Sequence, residues 1–147
     1  MNAKPTQIKE ALQNYKKIVV IGLSPNEERP SNSVTRYMIR KGYNIVGVNP
    51  GHASILDQPC YNSLSEVPGQ VEIVDVFRDS KAVPEIVDQA IQMKAKVLWL
   101  QEGVTHPEAE EKAAKAGILV ISNLCILKEH RKYIQHNEGT KEKSQAV

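Results

Sequence analysis

Short apolar runs alternate with longer amphipathic stretches along the chain, and that alternation predicts βαβ units built on a parallel sheet. Ile8, Leu12 and Tyr15 recur at helical spacing and predict a short N-terminal helix. Residues 17–22 (KIVVIG) are continuously apolar and β-branched, the pattern of a strand buried on both faces. After the loop LSPNEERP a helix begins at Ser31, with Val34, Tyr37 and Met38 on its apolar side and Gly42 at its stop. Residues 44–49 (NIVGVN), 71–77 (VEIVDVF), 96–100 (KVLWL) and 118–122 (ILVIS) predict four more strands. Helices are expected over 80–93, 106–116 and 124–134. The expected fold is α/β: a Rossmann-like, doubly wound, mainly parallel five-stranded sheet with helices on both faces.

Two segments stand outside that pattern. Residues 50–70 read as one long irregular loop, a feature uncommon in compact domains and often functional. Residues 136–147 are polar and read as a disordered tail following a single domain over 1–135.

Composition narrows the functional classes. The 147 residues suit one domain with its own core. Nineteen basic against seventeen acidic side chains leave a formal charge of +2 and no basic stripe, which argues against nucleic acid as a partner. No apolar run approaches the roughly 18 residues that span a bilayer, so no membrane is expected. The first residues lack a secretory apolar core, and the two cysteines, Cys60 and Cys125, form no disulfide framework or zinc pattern. A cytoplasmic location is expected.

In a doubly wound sheet ligands bind beyond the carboxyl ends of the strands, so the residues there carry the candidate chemistry. After the first strand stand Gly22, Leu23, Ser24 and Pro25, then Arg29, Ser31, Asn32 and Ser33 at a helix start. Glycine permits a sharp turn and close approach of a ligand. Free N–H groups of the helix suit a pyrophosphate. The same residues also fit a plain βα loop with serine caps. After the second strand come Asn49, Pro50 and His52, with no carboxylate for a ribose, and G-x-G-x-x-G is absent; a nicotinamide cofactor is disfavoured. Val76, Phe77 and Arg78 close the third strand, and Gln101, Glu102 and Gly103 follow the fourth.

A search for catalysis finds no nucleophile elbow, Walker loop or metal-ligand histidine pair. Cys125, between Leu124 and Ile126, reads as a small apolar side chain beneath the last strand end, and His130 as part of a solvated helix face.

Taken in order, Gly22-Leu23-Ser24, Arg29-Pro30-Ser31, Gly42-Tyr43, Val48-Asn49-Pro50, Tyr61-x-Ser63-Leu64, Val74-Asp75-Val76-Phe77-Arg78, Trp99-x-Gln101-x-Gly103-Val104 and Cys125-x₃-Glu129-His130 resemble the stand-alone CoA-binding domain proteins of bacteria and archaea. These are similar to the CoA-binding domain of the succinyl-CoA synthetase α subunit. The resemblance covers residues 15–133 and implies coenzyme A as the ligand. Its pyrophosphate would lie at Gly22–Pro25 and Ser31–Ser33, with His52 near the nucleotide. Val76, Phe77 and Arg78 would line the nucleotide, with Gln101, Glu102 and Gly103 further along. This chain departs from the family pattern Asp-Arg-Cys with Asn123-Leu124-Cys125. The synthetase's phosphorylated histidine belongs to a second domain, and a single domain is expected here. The expectation is a non-enzymatic carrier, sensor or regulatory module for CoA or an acyl-CoA, with a protein partner possible. The alternatives are an NADP-linked reductase, an acyl-transfer enzyme using Cys125, or one subunit of a two-chain acyl-CoA ligase.

Overall fold

Five strands form where the apolar runs predict them, and two more form inside the stretch that reads as irregular. The structure, a computed structural model, describes residues 2–135; the polar segment 136–147 lies outside the described residues. The chain begins α1 (Pro5–Asn14), β1 (Lys17–Ile21), α2 (Pro30–Arg40), β2 (Asn44–Val48), β3 (Ser54–Ile55) and β4 (Gln58–Tyr61). It continues β5 (Ile73–Val76), α3 (Val83–Gln92), β6 (Val97–Leu100), α4 (Pro107–Lys115), β7 (Leu119–Ile121) and α5 (Ile126–His130). A 3-10 turn, Ser80–Ala82, leads into α3, and its start is capped by Asp79, whose Oδ1 accepts from the Lys81 N–H (3.1 Å).

The sheet order is β3-β4-β2-β1-β5-β6-β7. Every pairing is parallel except the β3–β4 hairpin. That hairpin corrects the expected five-strand count and the irregular reading of residues 50–70. Its turn residues, Leu56 and Asp57, both have positive φ (56° and 60°), which fits a primed hairpin turn. Leu-Asp lacks the Asn-Gly or Asp-Gly signature of such turns, and Pro59 within β4 argues against a strand. The last helix is also shorter than expected. α5 ends at His130, and residues 131–135 continue with wider, π-type hydrogen bonding.

Alternation along the central strands divides the core in two. Val19, Ile21, Val74, Val76, Leu98 and Leu100 face one layer with Val83, Ile86, Val87 and Ala90 of α3 and Ala109 and Ala113 of α4. Ile18, Val20, Ile73, Val97, Trp99 and Ile121 face the other, with Ile8 and Leu12 of α1, Val34, Tyr37 and Met38 of α2, and Ile126 of α5. The apolar stripe of each helix, recurring every three or four residues, fixes which side meets the sheet. Trp99 is fully buried and satisfies its indole N–H by donating to the Leu124 carbonyl (2.8 Å), which ties β6 to the segment after β7.

Two histidines prove to be built into this frame. His106 caps α4: its Nδ1 accepts from the Ala109 N–H (3.2 Å). His130 corrects its expected place on a solvated face. It is buried, lies edge-on to Tyr37 and Tyr43, and its Nδ1 is 2.8 Å from the Tyr37 hydroxyl.

Candidate ligand-binding cleft

The chain leaves β1 for β2 on one side and later returns to β5 on the other, so strand order reverses between β1 and β5. The loops beyond those two strands diverge and open a crevice at their carboxyl ends. A cleft of about 610 Å³ lies there, within the size range of small-molecule sites. One wall is Gly22 and Ser24 after β1 with Arg29, Pro30, Ser31 and Val34 at the head of α2. The opposite wall is Phe77 after β5, Gln101, Glu102 and Val104 after β6, and Cys125 before α5.

The first wall is held by backbone-directed hydrogen bonds. Gly22 has φ +86° and donates its N–H to the Val48 carbonyl (2.9 Å), so the chain turns sharply as it leaves the sheet. Ser31, buried in the first turn of α2, accepts the Ser24 N–H on its Oγ (3.0 Å). Asn32 Nδ2 donates to the Ser24 carbonyl (2.9 Å), and its Oδ1 accepts from Arg36 Nε (2.9 Å). Both side chains therefore clamp the loop onto the helix. Arg29 precedes Pro30, the first helical residue, and adds a positive charge beside the Ser31 N–H; the Asn32 and Ser33 N–H groups already donate to the Arg29 carbonyl (3.0 and 3.2 Å).

The second wall is tied together across three strand ends. The Phe77 N–H donates to the Ile21 carbonyl (2.9 Å), and the Gln101 N–H to the Val76 carbonyl (3.2 Å). Asn123 adopts φ +60°, and its Oδ1 accepts the Gly103 N–H (2.7 Å), joining the loops after β6 and β7. Asn123 thus acts as a loop clamp. Glu102 is exposed and paired with Lys128 (2.8 Å), whose ammonium pKa is raised chiefly by that hydrogen bond.

Of the residues expected at the site, Gly22, Ser24, Arg29, Ser31, Phe77, Gln101 and Glu102 meet in this cleft. Leu23 and Val76 are buried in opposite core layers, and Asn32 is buried as a clamp. Pro25, Ser33 and Pro50 are exposed and do not line the cleft. Asn49 donates its Nδ2 to the Leu23 carbonyl (2.7 Å). Gly103 is exposed and held by Asn123. His52 lies on a separate depression with Cys60, Tyr61 and Glu66, and Arg78 borders another with Leu64 and Gln89.

Cys125 fits its expected packing in part. It is half-buried, packs against the core layer that holds Trp99 and Ile126, and also lines the cleft, because it precedes α5 in extended conformation while Ile126 takes the fully buried place. Pro30, Val34 and Val104 are further cleft residues that strand-end reasoning passes over; the first two follow from a helix start that faces the crevice. Asp75 lies next to it. It is 1% exposed on β5 and accepts a hydrogen bond from Gln101 Nε2. Burial pushes its carboxyl up to about 7, with the Gln101 bond opposing.

A doubly wound sheet with a cleft at its reversal point, a serine-braced turn and a helix start facing it define a nucleotide-type binding domain. Comparison with known proteins makes this specific: residues 16–131 match the family described as CoA binding domain, and the chain belongs to that family. A Bacillus subtilis (strain 168) protein named Uncharacterized protein YneT is 37% identical over 129 residues, covering 88% of this chain and 96% of its own. A hypothetical protein from Pyrococcus horikoshii OT3 superposes with TM-score 0.87 at 38% identity, over 90% of this chain and 93% of that one. The ADP-forming acetate–CoA ligase I of Archaeoglobus fulgidus is 33% identical over 123 residues, which are 76% of this chain but 18% of the ligase. The likeness there is to one part of a much larger enzyme. Among the described residues no helix is long and apolar enough to cross a membrane.

Proposed function

We propose that this chain binds coenzyme A or an acyl-CoA as a carrier, sensor or regulatory module, with the diphosphate at the head of α2. The observation that carries the reading is one cleft joining the Gly22–Ser24 turn, the Ser31 helix start and Arg29 on one side to Phe77 and Gln101 on the other. The family match supports the ligand class. A guanidinium beside the head of α2, with the positive end of the helix dipole behind it, suits a diphosphate on one wall. An open channel toward Gln101 and Cys125 suits an extended arm. The aromatic ring of Phe77 offers a flat surface to a base. Beyond β2 the chain supplies Asn49 and Pro50 rather than a carboxylate, which weighs against a nicotinamide dinucleotide.

Titration calorimetry with CoA, NAD and NADP tests this reading. CoA is expected to bind far more tightly than the other two. A preference for NAD, or no CoA binding by folded protein, overturns it. Native mass spectrometry of protein purified from its own host adds the mass of any retained acyl group or partner.

One observation favours a second reading. Cys125 lines the cleft, so a thiol stands where the arm of an acyl-CoA would reach. Acyl transfer would then pass the acyl group from the CoA sulfur to Cys125 Sγ, releasing CoA thiol and leaving a protein thioester.

A further inference from the structure

Among the described residues Asp75 is the one acidic side chain buried in the core, and it is joined to the cleft by Gln101. Its ladder neighbours are Val20 on β1 and Trp99 on β6, both fully buried and apolar. A carboxyl so placed is costly unless its oxygens are used. Gln101 is 4% exposed, yet lines the cleft. Its backbone is pinned on both sides, by its N–H to the Val76 carbonyl and by its carbonyl from the Val104 N–H (2.9 Å). Its amide nitrogen is turned inward to Asp75 Oδ1. The other end of the amide, Oε1, receives no hydrogen bond from the described residues. Thr35 Oγ1 is the single fully buried side-chain polar atom among them without a partner, so Gln101 Oε1 retains an open edge. The side of Gln101 that is open is the cleft.

An ionised carboxylate accepts and cannot donate, so opposite it the amide of a glutamine must present nitrogen. Oε1 then faces the cleft as a fixed acceptor. We propose that Asp75 is a positioning residue that locks Gln101 with its carbonyl toward the cleft, so that Gln101 selects ligands carrying an N–H donor along their arm. This rests on the CoA reading above and sharpens it, for the arm of coenzyme A contains two secondary amides, each with one N–H. The phosphates carry no N–H; the adenine carries a donor on its 6-amino group, and ADP, which has that group but no arm, tells the two donors apart.

Protonation of Asp75 would relax the lock, since a neutral carboxyl can either accept from the Gln101 nitrogen or donate to its oxygen. Few other titratable groups stand nearby. Arg29 precedes α2, which brings Arg36 and Tyr37; the loop after β6 brings Glu102, paired with Lys128 of α5; Cys125 precedes α5 and His130 ends it, and Arg78 follows β5. None of these contributes to the shift of the Asp75 carboxyl, which arises from burial and is opposed by the Gln101 bond.

The test measures CoA and ADP affinity by calorimetry for wild type, Gln101→Met and Asp75→Asn. Gln101→Met is expected to weaken CoA about tenfold, the scale of one hydrogen bond to a desolvated group, and to leave ADP within about twofold. Equal losses for both ligands, or no loss for CoA, overturn the proposal. Asp75→Asn, whose side chain accepts either orientation of Gln101, supplies a readout that lost packing would not move. The ratio of wild-type to Asp75→Asn affinity for CoA is taken at each pH, which cancels titration of the ligand's phosphates. It is expected near one at pH 5.5 and to rise several-fold in favour of wild type by pH 8.5; a flat ratio overturns the proposal. If wild type binds ADP but not CoA, or neither, the CoA reading itself fails, an outcome separate from these.

Discussion

The Arg78 side chain lies across Gly22, so closely that a β-carbon on Gly22 would stand 3.1 Å from Arg78 Cδ and 3.5 Å from the Phe77 carbonyl carbon. Two strand ends therefore approach each other at the mouth of the cleft only because one carries no side chain. Gly22 also sits at φ +86°, where an L side chain is strained. Gly22→Ala is expected to cost roughly 1–3 kcal/mol from that strain and from displacing Arg78. Because Gly22 lines the cleft, CoA affinity should fall as well. Chemical denaturation and calorimetry on the same variant check both, and unchanged stability would show that the turn tolerates a side chain.

The head of α2 is expected to carry the diphosphate. Arg29→Ala combined with Ser31→Ala should weaken CoA by roughly 1–3 kcal/mol, the scale of hydrogen bonds to charged groups. Ser31 contributes twice, since its Oγ also fixes the Ser24 N–H. Arg29→Ala alone should lower affinity in a salt-dependent way, and Ser31→Ala alone should not. Equal affinity in the double variant, with folding intact, moves the diphosphate elsewhere.

The parts of this fold legible in the sequence are those set by one-dimensional pattern. Residues 18–21 and 97–100 are apolar without interruption, and a short run of that kind suits a strand covered on both faces. Gly22 and Ser31 were legible as cleft residues because they follow a strand and open a helix. The β3–β4 hairpin was not, since its turn rests on Leu56 and Asp57 in left-handed conformation, which tertiary context imposes against local preference. The cleft-lining place of Cys125 is hidden for a related reason. Its neighbours Leu124 and Ile126 are apolar, but which of three consecutive residues points inward depends on where α5 starts. Asp75 is a charge within an apolar strand that the sequence reading passes over; its link to Gln101 runs between adjacent strands, and no spacing rule reports it.

The two cysteines should separate under alkylation. Cys60 is buried, and burial pushes its thiol pKa up, so little reactive thiolate forms. Cys125 is half-buried and lines the cleft. Iodoacetamide near neutral pH is expected to modify Cys125 and spare Cys60 in folded protein, and saturating CoA should slow the reaction. Intact-protein mass spectrometry after incubation with acetyl-CoA then distinguishes the two functional readings. A stoichiometric adduct lost in Cys125→Ala favours acyl transfer, and its absence favours a binding module.

Asp75 makes the stability of the fold depend on pH in an unusual direction for a carboxylate. Unfolded, an aspartate titrates near 3.9; folded, burial lifts Asp75 to about 7 against the opposing Gln101 bond. Between those values the folded chain holds the proton and the unfolded chain does not. Stability from this residue is therefore complete below about pH 4, declines as pH rises through about 7, and stays flat above. Each unit of difference is worth about 1.4 kcal/mol, so the total is on the order of a few kcal/mol. Asp75→Asn removes the ionisation while keeping the shape. Urea denaturation of both proteins at intervals from pH 4 to 8.5 isolates the effect, since all other titrations cancel in the difference. The variant should gain on wild type steadily as pH rises and hold its advantage above neutrality. A difference that stays constant with pH, or one that grows toward acid, would show that Asp75 remains ionised in the core across the range.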